Sequence, residues 1–175
     1  MPALALALHA VVAAALAAAA PPTAEGAAGP GTTPVPVSAG RWPLDPVPEV
    51  VAGFDPPEQR WSAGHRGVDL LATAGAPVRA ALAGTVSFAG TIAGRGVVVV
   101  EHTDGRRTTY EPVAPSVAVG DHVGSGATLG TVQAGGSHCP PRACLHWGLR
   151  VGEEYLDPLT LVRRGPVRLL PVGPP

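Results

Sequence analysis

Apolar and polar positions exchange at short intervals along the middle of the chain, from about residue 41 to residue 162. Short apolar stretches are separated by Gly, Pro and Asp turn signals, and no stretch repeats with the 3.6-residue period of an amphipathic helix. This pattern predicts an all-β domain. The predicted strands cover residues 67–71, 78–81, 85–89, 96–102, 106–113, 128–133 and 144–151.

Two local signals predict how strands are connected and how the domain ends. Thr103–Gly105 contains an Asp-Gly pair, which suits the positive φ values of a tight hairpin turn. We expect it to join the long strands on either side. Asp157 and Pro158 predict a short closing helix, because Asp caps a helix N-terminus and Pro fits its first turn.

The last predicted strand carries the most informative alternation. Successive side chains of a strand point to opposite faces, so apolar residues at every second position mark the face that packs in the core. Here they are Leu145, Trp147 and Leu149. Cys144 and His146 fall on the other face, which predicts that His146 lies at a polar surface or cleft rather than in the core.

The composition changes on both sides of the domain. Residues 1–20 are mostly Ala, Leu and Val and end in small residues, which is typical of a secretory signal, with a weak membrane anchor as the alternative. Residues 21–40 are rich in Pro, Gly, Thr and Ala and predict a disordered linker. The domain is placed at 41–162, and a Pro-rich tail follows at 163–175. We therefore expect an exported protein.

Charge and composition narrow the classes of function. A net charge of −1, from 12 basic and 13 acidic residues, gives no electrostatic reason to expect nucleic acid or anionic lipid as a partner. Aromatic residues make up only 4% of the chain, so we expect a core of small and β-branched side chains. Val119–Val123 and Gly130 resemble biotinyl and lipoyl carrier domains, but those need an attachment Lys and this chain has none.

Two imidazoles and one carboxylate form a candidate metal site. His65 and Asp69 lie four residues apart, and His146 comes from a distant strand. Two His and one carboxylate suit zinc and leave its fourth position to water, which is typical of a catalytic site. The H-x-x-x-D spacing alone is weak, and a surface loop with unrelated polar groups is the alternative interpretation.

The residues around these groups resemble the lysostaphin/LytM zinc peptidases, and the landmarks follow in that family's order from about residue 43 to residue 161. They are Gly64–Ala72, Gly75–Val78, Ala81–Val86, Gly94–Val100, His102, Gly105, Tyr110, Val119–Val123, Gly130 and Leu145–His146. The resemblance implies an antiparallel β-sheet sandwich or open barrel. It also implies one Zn²⁺ per chain, bound by His65, Asp69 and His146.

The resemblance fails at two positions that hold catalytic imidazoles in the family. The first His of the family's His-x-His is replaced by Cys144, and the His of its Tyr-x-His by Pro112. The catalytic residues are therefore unknown, with Glu111 and His138 as weak substitutes. If Tyr110 faces the cleft, Glu111 faces away unless Pro112 forces a bulge. We interpret both substitutes as solvated residues.

The two cysteines flank a short loop beside the candidate metal site. An even pair at close spacing in an exported chain predicts a disulfide between Cys139 and Cys144. The alternative is a reduced Cys144 beside zinc, acting as a nucleophile or a metal ligand. His102 and His122 are interpreted as structural or solvated residues.

Two functions remain open from the sequence. The first is a zinc metalloendopeptidase of the cell wall that cuts peptidoglycan stem peptides or cross-bridges, weakened or inactivated by the two substitutions. The second is a catalytically inactive zinc-binding module of the cell envelope that binds peptidoglycan or regulates another cell-wall hydrolase. In either case we expect a monomer that does not bind membranes strongly once the signal is removed.

Overall fold

Residues 40–59 and 61–163 are described by the structure, a computed structural model. The predicted signal at 1–20, the linker before Gly40 and the tail beyond Arg163 lie outside the described residues, so the predicted domain limits stay predictions. The strands are β1 (Val50–Ala52), β2 (Gly67–Ala72), β3 (Pro77–Arg79), β4 (Gly84–Ile92), β5 (Arg95–Glu101), β6 (Arg106–Glu111), β7 (Val113–Pro115), β8 (His122–Val123), β9 (Thr128–Val132), β10 (Ala143–Val151) and β11 (Glu154–Leu156).

The strands form two antiparallel sheets, which confirms the all-β prediction. The larger sheet has the order β1-β2-β10-β6-β5-β4-β8, with β11 paired to β10, and the smaller one has the order β3-β9-β7. Val, Leu and Ala side chains dominate the buried core between them, as the low aromatic content predicts. Burial of these apolar groups is the main favourable contribution to folding.

The predicted connections are present. Gly105 has a φ of 80° in the turn between β5 and β6, and the Asp104 carboxylate accepts a hydrogen bond from the amide of Arg106. A single 3-10 turn, Pro158–Leu161, follows Asp157, whose side chain accepts from the Leu159 amide. Among the described residues no helix is long and apolar enough to span a membrane.

The structure differs from the predicted strands in two respects. The strand predicted at 106–113 is divided into β6 and β7 at Pro112, which has no amide hydrogen to donate to the ladder. The short strands β1, β8 and β11 are not predicted by the sequence. A strand of two or three residues contains too few positions to show an alternation.

Strand β10 lies between β2 and β6 and sets the geometry of the site. His146 is opposite Asp69 on one neighbour and opposite Glu111 on the other. Directly opposed residues of antiparallel strands point to the same face, so these three side chains share one face of the sheet. Trp147 and Tyr110, which oppose each other at the next position, are fully buried on the core face.

A separate polar cluster, formed by His102, Thr108 and Tyr110, is buried in the domain. The Ala81 amide donates to the Tyr110 hydroxyl (2.8 Å), which donates to Thr108 Oγ1 (2.9 Å). His102 Nδ1–H donates to the Ala83 carbonyl (2.9 Å), so Nε2 is left to accept from the Thr108 hydroxyl (2.9 Å). Burial raises the pKa of Tyr110 to about 12 and lowers that of His102. His102 is therefore a structural residue.

Candidate metal centre

His65 is oriented by the backbone of the loop that precedes β2. Its main chain forms a two-way bridge with Asp55, with N···O distances of 2.6 and 3.0 Å. Its ring Nδ1–H donates to the carbonyl of Gly53. A backbone acceptor at Nδ1 fixes the tautomer, so the lone pair of a neutral ring lies on Nε2. That atom faces Asp69 and His146.

The three predicted ligands lie together, His65 just before β2, Asp69 within β2 and His146 in β10. His65 Nε2 is 3.2 Å from Asp69 Oδ1 and 3.1 Å from His146 Nδ1, and the His146 and Asp69 atoms are 2.9 Å apart. The two imidazoles are 81 positions apart in the chain. Donors about 3.4 Å apart surround a tetrahedral zinc ion, because zinc–nitrogen bonds are about 2.0–2.1 Å long. The donor set and its spacing therefore fit such an ion.

Asp69 is the acidic member of this group and is only 4% exposed. Burial raises the pKa of its carboxyl, but the hydrogen bond to His146 and the imidazoles of His146, His65 and His138 outweigh burial, so the pKa lies below its usual value. Asp69 is therefore ionised at neutral pH. A buried carboxylate among imidazole nitrogens is a favourable place for a cation.

Gly67 allows the two strands to approach each other beside the ligands. A Cβ atom at this position would lie 2.5 Å from the Trp147 carbonyl oxygen and 2.7 Å from His146 Nε2. Any side chain would push the ring of His146 or the backbone of β10 away. The glycine between His65 and Asp69 in the sequence is therefore part of the site.

His138 lies beside the predicted ligands at an exposed position of its loop, so the solvated loop residue of the sequence interpretation also contacts the metal cluster. Its Nδ1 is 3.5 Å from Asp69 Oδ1, and its ring centroid is 5.1 Å from that of His146. One donor atom from each of the four residues lies within 4.8 Å of the other three. The Gly-rich loop around His138 has no periodic pattern, and the neighbouring cysteine was the one sequence signal that could have placed it.

The loop that carries His138 is closed by a disulfide between Cys139 and Cys144. Ser137 Oγ accepts hydrogen bonds from the amides of Cys144 (2.8 Å) and Cys139 (3.2 Å). Cys144 lies on the same strand face as His146, as predicted, but it is fully buried. With both sulfurs bonded, neither cysteine offers the thiolate that a nucleophile or a metal ligand requires.

Glu111 faces the cleft, because Tyr110 does not, so the condition under which Glu111 would face away is not met. Tyr110 is fully buried in the core, so its neighbour Glu111 points to the other side, towards the face of His146. The Glu111 carboxylate accepts a hydrogen bond from Arg95 Nε at 3.0 Å. A Cβ atom on Gly136 would lie 2.9 Å from Arg95 Cβ, so the His138 loop packs against this ion pair.

A cleft of about 430 Å³ opens above these residues. His65, His138, His146 and Glu111 contribute to its lining, together with Arg66, Arg95, Arg107 and Arg150. Three of the arginines form ion pairs, Arg95 with Glu111, Arg107 with Glu101 and Arg150 with Glu153. The guanidinium groups of Arg66 and Arg150 lie about 6 Å from the Tyr155 ring centroid.

Comparison with known families decides which fold family this site belongs to. The model of peptidase family M23 matches residues 63–158, more than half of the chain and the whole range of the metal cluster and cleft. The chain belongs to peptidase family M23. The sequence-based assignment to the lysostaphin/LytM type is thereby confirmed.

Curated relatives also match large parts of the chain. An uncharacterised protein of Mycobacterium tuberculosis is 47% identical over 136 residues, which cover 75% of this chain and 55% of that protein. The DD-carboxypeptidase/endopeptidase Mpg of Neisseria meningitidis is 30% identical over 98 residues, or 55% of this chain and 22% of that protein. The chain thus spans about half the length of the mycobacterial relative.

Solved M23 structures share the fold. The catalytic domain of lysostaphin, an antimicrobial peptidase from Staphylococcus simulans, superposes with a TM-score of 0.57 at 25% identity and covers 66% of this chain and 92% of that domain. A zinc-containing peptidase from Vibrio cholerae gives a TM-score of 0.61 at 24% identity, covering 73% of this chain and 40% of that one. The chain therefore aligns with most of the lysostaphin catalytic domain.

Proposed function

We propose that this M23 domain is a zinc peptidase that hydrolyses peptide bonds in peptidoglycan, with His65, Asp69 and His146 as the metal ligands. The observation that carries the proposal is the convergence of three donor atoms within 3.2 Å of one another at the base of an open cleft. Two of them are ring nitrogens that face each other, an arrangement that a shared cation stabilises.

The metal ion would act as a Lewis acid that polarises the scissile carbonyl and activates water near neutral pH. The residues of the chain supply its support. Gly53 orients His65 through Nδ1, and burial keeps Asp69 in contact with both imidazoles. Such partners fix ring orientation and raise the basicity of the ligands.

Glu111 is the proposed proton acceptor. It replaces the imidazoles that the family places at the positions of Pro112 and Cys144, and it shares the cleft face with His146. The ion pair with Arg95 holds the carboxylate in one orientation, and the guanidinium next to it can stabilise negative charge that develops on a substrate oxygen. A positioned acid or base contributes about 10²–10⁴-fold to such a reaction.

The arginines of the cleft support a peptide substrate that carries carboxylates. Guanidinium groups bind carboxylates through paired hydrogen bonds, and the stem peptides of peptidoglycan present several carboxylates. The names of the neisserial and staphylococcal relatives describe peptidases of related kind. We place the protein outside the cytoplasm, at the cell wall, as a monomer, with residues 1–20 as its signal and 41–162 as its domain.

A second function is favoured by the two substituted positions. Cys144 is bonded inside the fold and Pro112 carries no ionisable group, so neither can move a proton. A domain that binds zinc and peptidoglycan without cleaving it, and that regulates another envelope hydrolase, would need neither imidazole. The two functions differ in whether Glu111 supports turnover.

The full zinc-loaded chain is incubated with purified peptidoglycan, and released peptides are quantified by mass spectrometry. We expect metal-dependent cleavage that falls about 10²–10⁴-fold in the Glu111→Gln variant, with one zinc per chain retained. Glu101→Gln is the matched control, because Glu101 also pairs with an arginine of the cleft. One zinc per chain without cleavage would exclude the peptidase in favour of the binding module, and absence of zinc would exclude both functions.

A further inference from the structure

We infer that His138 is a fourth protein donor to the metal, carried into the site by the loop that the Cys139–Cys144 disulfide closes. The inference rests on the proposed metal site of His65, Asp69 and His146 and adds a ligand to it. It changes the character of the site, because four protein donors occupy every position of a tetrahedral ion.

The spacing of the donor atoms is the first argument. His138 Nδ1 lies 3.5 Å from Asp69 Oδ1, while the three predicted ligands are separated from one another by 2.9–3.2 Å. A tetrahedral zinc site requires about 3.4 Å between donors, given bonds of about 2.0–2.1 Å. His138 thus lies at this distance from one of the three donors, and all four donor atoms fall within 4.8 Å of one another.

The surroundings of the imidazole are the second argument. The His138 side chain lies beside the Asp69 carboxylate and the ring of His146, both members of the metal cluster. Its side chain is 38% exposed, so burial in an apolar core does not explain why the ring lies beside these two side chains. Attraction to the ionised carboxylate and to a cation beside it does.

The loop itself is the third argument. Cys139 follows His138 directly and is bonded to Cys144, which lies two positions before the ligand His146 on the same strand face. On the other side, Gly136 packs against Arg95, and the hydroxyl of Ser137 accepts two amides of the loop. These contacts limit where the His138 ring can go, which lowers the entropy that coordination would cost.

Position 144 has therefore changed its role. In the family it supplies an imidazole directly, whereas here its sulfur ties down a loop that supplies one from position 138. With His138 bound, the resting metal ion has no open position for water. Peptide hydrolysis then requires that the ring of His138 leave the ion or that the ion accept a fifth ligand.

The test is metal binding by the full chain, and it does not depend on turnover. Zinc affinity is measured by competition with a chromophoric chelator, and the visible spectrum of the Co²⁺-substituted protein reports the coordination number. We expect His138→Gln to weaken zinc binding by on the order of 10- to 100-fold, as loss of a metal-site partner does. The intense visible bands of tetrahedral Co²⁺ should weaken at the same time.

Two further variants complete the design. His122→Gln removes a histidine outside the cluster and should leave affinity and spectrum unchanged. The Cys139→Ser/Cys144→Ser double variant keeps the imidazole but frees the loop, and we expect it to change both readouts in the direction of His138→Gln. Equal affinities and spectra for the wild type and His138→Gln would overturn the inference while the three-ligand site stands. If the double variant has the wild-type affinity and spectrum, the disulfide does not position His138 at the metal, and that part of the inference is wrong. A wild type that binds no metal would instead refute the proposed function.

Discussion

Two polar clusters lie in the same small domain and differ in how their hydrogen bonds are satisfied. In the buried cluster of His102, Thr108 and Tyr110, each side-chain N–H and O–H group has an acceptor, at donor–acceptor distances of 2.9 Å. Each ring nitrogen of His102 has a hydrogen-bond partner. In the metal cluster, ring nitrogens of His65 and His146 face each other at 3.1 Å.

The difference separates a structural histidine from a ligand. A closed chain that runs from donor to acceptor stabilises the fold by itself, because no buried polar atom is left unmatched. A proton on His146 Nδ1 can be donated to Asp69 or to His65, but His65 Nε2 and Asp69 Oδ1 then face each other as two acceptors 3.2 Å apart, and a cation satisfies both. The pattern of partners, rather than burial, tells the two kinds of site apart: His102 is 5% exposed and Asp69 is 4% exposed.

The largest expected effect is zinc stabilisation that depends on one cluster and not on the other. Free zinc at 1,000 times its dissociation constant should raise the free energy of unfolding by about 4 kcal/mol, because it binds the folded state. His146→Ala should abolish this increment. His102→Gln should lower stability without metal but keep the whole increment. Urea unfolding with and without zinc measures both terms.

The distinction between the two clusters fails if the zinc-dependent increments in the free energy of unfolding differ from these expectations. A zinc increment that survives in His146→Ala would show that the metal binds elsewhere. An increment that disappears in His102→Gln would show that the closed cluster also organises the metal site. In either case the structural role of one cluster and the metal binding of the other could no longer be treated as independent.

The sequence predicted the fold better than it predicted the cleft. Alternation along β10 placed Trp147 in the core and His146 on the opposite face, and both placements are correct. The long strands and the Asp-Gly hairpin follow from local patterns that depend on few neighbours. These features could be predicted because the order of residue types along the chain determines which strand face is buried and where a tight turn can form.

Glu111 and His138 could not be placed from the sequence. Alternation in β6 shows that Tyr110 and Glu111 face opposite sides, but it does not say which side is the core. The pairing of Tyr110 with the buried Trp147 decides this, and that pairing is a tertiary fact. His138 lies in a loop without periodicity, where the disulfide and contacts from other strands determine its position.

A smaller effect is expected from adding a side chain at Gly67, where β2 and β10 approach each other beside the metal cluster. Gly67→Ala would place a methyl group 2.5 Å from the Trp147 carbonyl oxygen and 2.7 Å from His146 Nε2. We expect a loss of about 1–3 kcal/mol in the free energy of unfolding, the usual cost of overpacking, together with weaker zinc binding. Denaturant unfolding and a zinc titration measure the two losses.

The control for this substitution is Gly124→Ala. A Cβ atom at Gly124 meets nothing within 4 Å, and Gly124 has no positive φ that would strain an alanine. It should change stability little and zinc affinity not at all. If Gly67→Ala behaves in the same way, the two strands have room that the distances do not show, and the glycine is not part of the site.

The smallest expected effect is the pH dependence contributed by the closed cluster. Burial lowers the pKa of His102 in the folded state, against a value near 6.5 when unfolded. The unfolded chain therefore binds the proton more readily, and the stability due to the neutral ring is lost as the pH falls below about 6.5 towards the folded pKa. Metal-free wild type should lose stability between pH 7 and pH 5 more steeply than His102→Gln, as measured by urea unfolding at each pH.

His122→Gln controls for replacing a histidine on the exposed surface. Parallel curves for the wild type and His102→Gln would show that the closed cluster accepts a proton without cost, and that burial does not keep His102 neutral.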